Sequence, residues 1–484
     1  MKRKFFFMFF NVLLICMGVL ATSSLLYAQT EIKVNADETT NQIKHYPKFN
    51  IHEYTLKNGL KVIVKEDRRA PVAVSQIWYK VGSSNEVNGD TGLSHVLEHM
   101  MFKGTNAYPS GEFSKIIAAN GGRENAFTGR DYTAYFQQLE KSRLDVSFEL
   151  EADRMRGVLL EAEEFAKEIR VVMEERRMRT DDNPQALMYE QFSAVAYLNS
   201  PYHAPVIGWM NDLEHMQAED LRVWYDRWYQ PNNATLVVVG DVNHQDIFKV
   251  VEKYFGVIEM GSVPAVKPRK EIVQKGERRI VVKAPAQVPY LLMGYKFPSV
   301  LDAEEAWEPY AAEVLLGILD GGASARFAKH IIREDQVAAS VGAGYDSYTP
   351  QQELFLFDGT PASGHNVKQL EEAIKEQIDK IKTELVTEKE LDRVKAQVVA
   401  GKVYERDSIF YQAMQIGKLE TIGLGWQLGE KYVGHINSVT SEQVQAVARK
   451  YFTDDTLTVA VLEPQPIKQS QHAGAATAGG RHGR

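Results

Sequence analysis

The chain has 484 residues, of which 44% are apolar and 25% charged, and it carries a net charge of −8. That length is too great for one ordinary core and implies two or three domains, and the composition is that of a globular chain rather than a disordered one. The acidic total, with no basic stripe to offset it, argues against nucleic acid as a partner.

The first 28 residues open with Lys2, Arg3 and Lys4 and continue as an apolar run to Ala28. A basic start before an apolar stretch, with residues 26–28 as a cleavage site, predicts a signal peptide and export to the periplasm. The run is also long enough to span a bilayer, so an uncleaved membrane anchor is the alternative. Without the leader's three cations the net charge falls to −11. Cys16, the only cysteine, lies inside the leader. The mature chain therefore offers neither disulfides nor thiolate ligands, and any metal must be held by His and carboxylate.

Residues 29–44 read as a polar lead-in. Asn58-Gly59 between alternating runs predicts a hairpin over residues 53–64, and a further strand is expected at 72–81. A loop rich in Gly, Ser and Asn (82–92) leads to a helix at 93–102. A helix at 112–119, a turn at 120–122 and an alternating stretch through 125–136 follow. Two helices are expected from 144 to 180, and Asp182-Asn183-Pro184 closes the second and opens another. A helix ending at 229 and a buried strand at 234–239 complete the first half. Pro and Gly among charges mark residues 259–278 as a linker.

The second half repeats the style of the first. Strands are predicted at 279–283 and 290–297, and a helix at 307–319. After Gly321-Gly322 come a helical stretch (325–333), strands (337–345 and 353–358) and two long amphipathic helices (366–385 and 388–406). The stretch 447–461 echoes 225–239. The reading is α+β: two similar domains (45–258 and 279–465), each an antiparallel β-sheet with helices packed on one side, followed by a tail (466–484) whose His472 and His482 are read as solvated.

The sharpest signal is Gly92-Leu93-Ser94-His95-Val96-Leu97-Glu98-His99. In a helix His95 and His99 share one face, four residues apart, and two imidazoles on adjacent turns suit Zn²⁺. Glu98 stands where a carboxylate can reach a metal-held water. This H-x-x-E-H order is a metallopeptidase signature; the plainer reading is two surface histidines flanking a glutamate. A catalytic zinc takes a third protein ligand. In the charged helix at 162–180, Glu168, Val171, Val172 and Glu175 share a face, while Glu174 lies on a fully charged one. Glu168 and Glu175 are thus the inward-facing alternatives, and surface ion pairing is the competing explanation for both.

The His95–His99 segment and the Glu168/Glu175 pair resemble the pitrilysin/insulinase family of zinc metallopeptidases (the inverzincins), in its short two-domain bacterial branch. The likeness extends to Asn58-Gly59-Leu60, Asn125-Ala126-Phe127-Thr128, Pro201-Tyr202-His203, residues 229–234 and Gly240-Asp241-Val242, and covers about residues 45–465. The resemblance implies one zinc ion held by His95, His99 and Glu175, which lies 76 residues beyond His99, with Glu168 as a supporting residue that orients a ligand. It implies a zinc endopeptidase acting on extended peptides or small unfolded polypeptides. Glu98 would be the general base for the zinc-held water that attacks the scissile carbonyl, and Asn125, Ala126 and Phe127 would form a substrate-binding edge.

The match is incomplete in the second half. Self-sufficient members carry an Arg and a Tyr there that hold substrate. Arg333 matches the first, but residues 337–340 hold no tyrosine, and Tyr345 lies beyond the matching place. This resembles the catalytic member of paired systems, which implies a hetero-oligomer with a homologous subunit lacking the zinc motif; a homodimer is the other possibility. Two further readings stand beside the peptidase. One is an exported peptide-binding or assembly subunit without turnover. The other is a structural zinc protein closed by a fourth ligand, for which His203 and His215 are the candidates.

Overall fold

The computed structural model describes residues 50–467. The leader with Cys16, the polar lead-in, and His472 and His482 of the tail lie outside the described residues. The first half runs β1 (Ile51–Thr55), β2 (Lys61–Glu66), β3 (Val72–Tyr79), α1 (Leu93–Met100), α2 (Glu112–Ala119), β4 (Arg123–Thr128), β5 (Thr133–Glu140), α3 (Leu144–Gly157), α4 (Ala162–Arg176), α5 (Pro184–Ala196), α6 (Met210–His215), α7 (Ala218–Trp228), β6 (Ala234–Gly240) and α8 (His244–Phe255). The second runs β7 (Arg278–Pro285), β8 (Tyr290–Phe297), α9 (Glu308–Asp320), a π-helical stretch (Phe327–Glu334), β9 (Ala338–Gly344), β10 (Glu353–Pro361), α10 (Val367–Thr383), α11 (Glu388–Glu405), α12 (Ile409–Thr421), α13 (Gln427–Ser438), α14 (Ser441–Tyr451) and β11 (Leu457–Gln465). Among the described residues no helix is long and apolar enough to cross a membrane.

The strands form two sheets, ordered β1-β2-β6-β3-β5-β4 and β7-β11-β8-β10-β9. Most neighbours are antiparallel, as the local hairpins require. Each sheet also holds one parallel pair, β2 with β6 and β7 with β11, which the alternation pattern did not reveal. These pairs join strands far apart in the chain, and the long helical crossover between them permits parallel pairing. The alternating run through 125–136 is divided by a tight reversal into β4 and β5, so Asn125, Ala126 and Phe127 lie on β4, an edge strand.

The helices of each half cover one face of its own sheet. In the first half Val62, Val64, Ile77, Tyr79, Leu236 and Val238 point into a core with α1, α3, α4, α7 and α8. In the second, Leu291, Met293, Phe355, Phe357 and Val459 do the same with α9, α10 and α14. The opposite faces are also apolar, and each is covered by one helix from the other half. Ala413 and Ile416 of α12 pack on Ile63, Val74, Trp78, Val237 and Val239 of the first sheet. Met188, Phe192 and Ala196 of α5 pack on Val282, Leu292, Leu354 and Ala460 of the second. Burying each of the larger side chains (Val, Leu, Ile, Phe, Met) contributes about 1.5–3 kcal/mol, so the exchange ties the halves together. Close approach needs small residues at the crossings. A Cβ on Gly417 would lie 2.1 Å from the Trp78 indole, and one on Gly294 would lie 2.7 Å from the Phe192 ring.

Candidate metal centre

The loop before α1 is anchored so that the helix starts at Gly92. Glu86 accepts the N–H groups of Gly92 (2.8 Å) and Ser94 (2.7 Å), one on each carboxylate oxygen. This satisfies donors that a helix start leaves open, and these bonds from the helix start oppose the burial that raises the Glu86 carboxyl to about 7. Gly92 has φ +92°, and a Cβ there would lie 2.9 Å from the Ile207 carbonyl, so the helix begins where only glycine fits. Asp212 accepts from both the hydroxyl (2.6 Å) and the N–H (3.2 Å) of Thr91. Neither acid carries a motif in the sequence, and their signal exists only in three dimensions.

From α1, His95 and His99 project toward α4, with ring centroids 4.9 Å apart. Glu175 completes the group: its carboxylate lies 3.4 Å from His99 Nε2 and 4.0 Å from His95 Nε2. One ligand atom from each of the three residues falls within 4.8 Å of the others. Glu168, two turns earlier on the same stripe, takes a different place, since its Oε1 lies 2.9 Å from His99 Nδ1 and its Oε2 is paired with Lys103 at 2.5 Å. The two glutamates left open by periodicity therefore divide the histidine between them, one facing Nε2 and the other Nδ1. The stripe itself is narrower than the spacing predicts: Val172 is fully buried but Val171 is 50% exposed. The buried face is rotated toward Ile169 and Met173, which leaves Val171 on the outer rim.

Charge and burial set the protonation states. Burial, and then the neighbouring His99, push His95 down to about 3, so its ring is neutral. Its Nδ1 is buried without a hydrogen-bond partner. Burial also depresses His99, but Glu168 and Glu175 outweigh it and carry this imidazole up to about 9. Glu98 is pushed up to about 7 by burial, against the hydrogen bond it accepts from Thr128. That bond, Thr128 Oγ1 to Glu98 Oε2 at 2.5 Å, links the end of β4 to the carboxylate beside the cluster. Glu175 is also paired with Arg179, one turn further along its chain. Lys103 and Arg179 stand outside every sequence motif, although each lies four residues beyond a motif residue, and Thr128 is marked in the sequence only as the end of the Asn125–Thr128 landmark.

The group suits a divalent zinc ion. It offers two imidazole nitrogens and one carboxylate, without thiols, and one ring is already held neutral. The other ring is oriented through Nδ1 by a carboxylate, as metal-binding histidines commonly are. His203 and His215 do not join it: His203 contacts Ser200 and Asn88, and His215 contacts the Asn211 carbonyl. Ala126 donates its N–H to Asn125 Oδ1 (2.9 Å), while the Phe127 ring packs on Trp78 and Tyr132 on the sheet's far face. What β4 presents at its edge is therefore mainly backbone. Arg333 is bonded to the Ala323 carbonyl (2.7 Å) in its own half, and Tyr345 to that of Pro298.

Comparison with known proteins identifies the family of the chain. Residues 61–208 match the family model described as insulinase (peptidase family M16), and residues 215–398 match the one described as the peptidase M16 inactive domain. The zinc protease PqqE of Helicobacter pylori is 34% identical over 69% of this chain and 76% of its own. The uncharacterized zinc protease YmxG of Bacillus subtilis is 27% identical over 86% of this chain and 98% of its own. Among solved structures, a protease from Helicobacter pylori superposes with a TM-score of 0.81 at 31% identity, covering 86% of this chain and 100% of that one. A peptidase M16 inactive domain from Pseudomonas fluorescens shares the fold at 16% identity, with a TM-score of 0.77 over 87% of this chain and 100% of its own. With the two-sheet fold, the motif helix and relatives covering both halves all in agreement, the chain belongs to the insulinase (peptidase M16) family.

Proposed function

We propose that this chain is a zinc-dependent endopeptidase that hydrolyses extended peptides or small unfolded polypeptides. The observation that carries this reading is the convergence of His95, His99 and Glu175 within 4.8 Å, with the half-buried carboxylate of Glu98 on the same helix. His95, His99 and Glu175 would hold the ion, and Glu168 would fix the His99 ring. When bound, zinc supplies a Lewis acid that polarises the scissile carbonyl and acidifies water. Glu98 takes the proton of the attacking water and returns it to the leaving amine. In the metal-free chain burial raises it to about 7, the direction that favours returning a proton as well as taking one, and Thr128 keeps its carboxylate turned toward the edge strand. A peptide lying along β4 at Asn125, Ala126 and Phe127 would add as a further strand, bound through main-chain groups and hence tolerant of sequence. Glu98→Gln tests the role directly. Zinc content should remain and cleavage of an unstructured peptide should be lost; retained cleavage would remove Glu98 from the mechanism.

The second half supports a further element of this reading. No tyrosine stands at residues 337–340 and Arg333 is engaged with the Ala323 carbonyl of its own half, which supports a substrate-holding pair that this chain does not complete alone. A homologous subunit lacking the zinc motif would donate those groups. The isolated chain should then bind zinc but cleave slowly, and full activity of the pure chain would contradict the pairing. A peptide-binding subunit without turnover is the competing reading, and the same cleavage assay decides between them. The leader composition supports export to the periplasm, which fractionation of the producing cell tests.

A further inference from the structure

A second group of two imidazoles and one carboxylate stands apart from the proposed peptidase residues. His52, Glu66 and His244 each offer a ligand atom, and these lie within 4.8 Å of one another. They come from three elements that only the fold assembles. The β1–β2 register pairs His52 with Val64. Glu66, two residues further along β2, is therefore the diagonal neighbour of His52 on the same face. His244 opens α8 just after the Asn243 cap, and it donates to Glu66 Oε1 both from its backbone N–H (3.0 Å) and from Nδ1 (2.8 Å). The His52 ring lies flat on that of His244, with centroids 3.5 Å apart and planes within 6°. Arg68 holds the other oxygen of Glu66 at 3.0 Å and so fixes the carboxylate's orientation.

A helix cap explains the Glu66–His244 bond, but it does not call for a second imidazole stacked on the first. Around a tetrahedral zinc ion, ligands at about 2.0–2.2 Å stand roughly 3.3–3.6 Å from each other. His244 Nδ1 and Glu66 Oε1 are 2.8 Å apart across their hydrogen bond, so a cation replacing the proton between them would part them by roughly half an ångström. A side-chain turn of half-buried His52 would then bring its ring nitrogen in as the third ligand. Two imidazoles and a carboxylate, with no thiol, are the donor set of a late first-row divalent ion. We propose that His52, Glu66 and His244 form a second divalent-cation site, with zinc as its probe ion, that clamps the edge strand β1 to β2 and to the start of α8. The site makes no contribution to the hydrolysis proposed above and does not depend on that reading.

The test uses the full chain with the first cluster disabled by His99→Ala and Glu175→Gln. Stripped of metal and titrated with zinc, this protein should bind about one equivalent and melt at a higher temperature than its metal-free form. Adding His52→Asn or His244→Asn should abolish both the equivalent and the shift. His52→Phe, which preserves the ring stacking, should abolish them as well while leaving the metal-free melting temperature close to that of its parent. Absence of zinc binding in the disabled background, or binding that persists in the His52 and His244 variants, would overturn the proposal.

Discussion

The two halves of this molecule share one plan and differ in what fills it. Aligned by strand order, β2, β6, β3, β5 and β4 correspond to β7, β11, β8, β10 and β9, and each sheet has its parallel pair at the same place. In both halves the central strand β3 or β8 is followed by a helix across the sheet. In the first half that helix is α1, with His95, Glu98 and His99. In the second it is α9, whose Val314, Leu315, Ile318 and Leu319 are fully buried and which has no histidine. The same frame thus supports a cluster of two histidines and a glutamate in one half and a largely apolar helix face in the other. Fold and chemistry are separable, and the chemistry resides in a few side chains placed on the frame. The exchange of α5 and α12 obeys the same correspondence, since each follows the second long helix of its half and crosses to the other sheet.

The sharpest way to break this comparison is to alter one half-buried glutamate in each half. Glu98→Gln should lower peptide cleavage by about 10²–10⁴-fold. Glu313→Gln, on α9 and bonded to Ser347 and Tyr432, should leave the turnover number unchanged and alter only the melting temperature. Equal losses of turnover would mean that the halves share the chemistry. Next in size is the support of His99. Glu168→Gln should weaken zinc binding by roughly 10–100-fold, as read by competition with a chelating dye, with the helical content of the chain retained.

Zinc affinity should also depend on pH, with a defined sign. His99 is carried up to about 9 in the metal-free chain, so an ion taking its Nε2 must displace a proton at any lower pH. Affinity should therefore rise by about tenfold per pH unit up to near pH 9 and then level off. Calorimetry in buffers of different ionisation enthalpy should register the released proton near neutral pH, and a flat profile would contradict the His99 assignment. The smallest expected effects concern the exchanged helices. Gly417→Ala should destabilise the chain by about 1–3 kcal/mol, because the Trp78 ring cannot give way, and Gly294→Ala should do so by less, because it meets only the outer ends of the Phe192 and Leu356 side chains, at 2.7 and 3.1 Å. Denaturant midpoints of the two variants measure this, and no change at Gly417 would mean that α12 does not bear on the first sheet as described.

Much of this was open to sequence reading because it is local. The spacing of His95, Glu98 and His99 is a property of one helix, and so is the choice of Glu168 and Glu175 over Glu174. The hairpin at Asn58-Gly59 and the helix over residues 112–119 were equally legible, since turn chemistry and a 3.6-residue period act over a few residues. The reading left out α8, α12 and α13 entirely. An apolar stripe states that a helix is buried but not against what, so Ala413 and Ile416 gave no hint that their partner was a sheet more than 170 residues away.

The sequence by itself determined the family, the two-part α+β plan and the donor types available, because helical and strand periods and the absence of cysteine after Cys16 are written directly in the order of residues. Only the tertiary structure decided the rest. It turned Glu175 to Nε2 and Glu168 to Nδ1 of one histidine, brought Thr128 to Glu98, stacked His52 on His244 and sent α5 and α12 across to each other's sheets. Each of those contacts joins segments that strand order and helix packing bring together, and distance along a chain carries no information about such meetings.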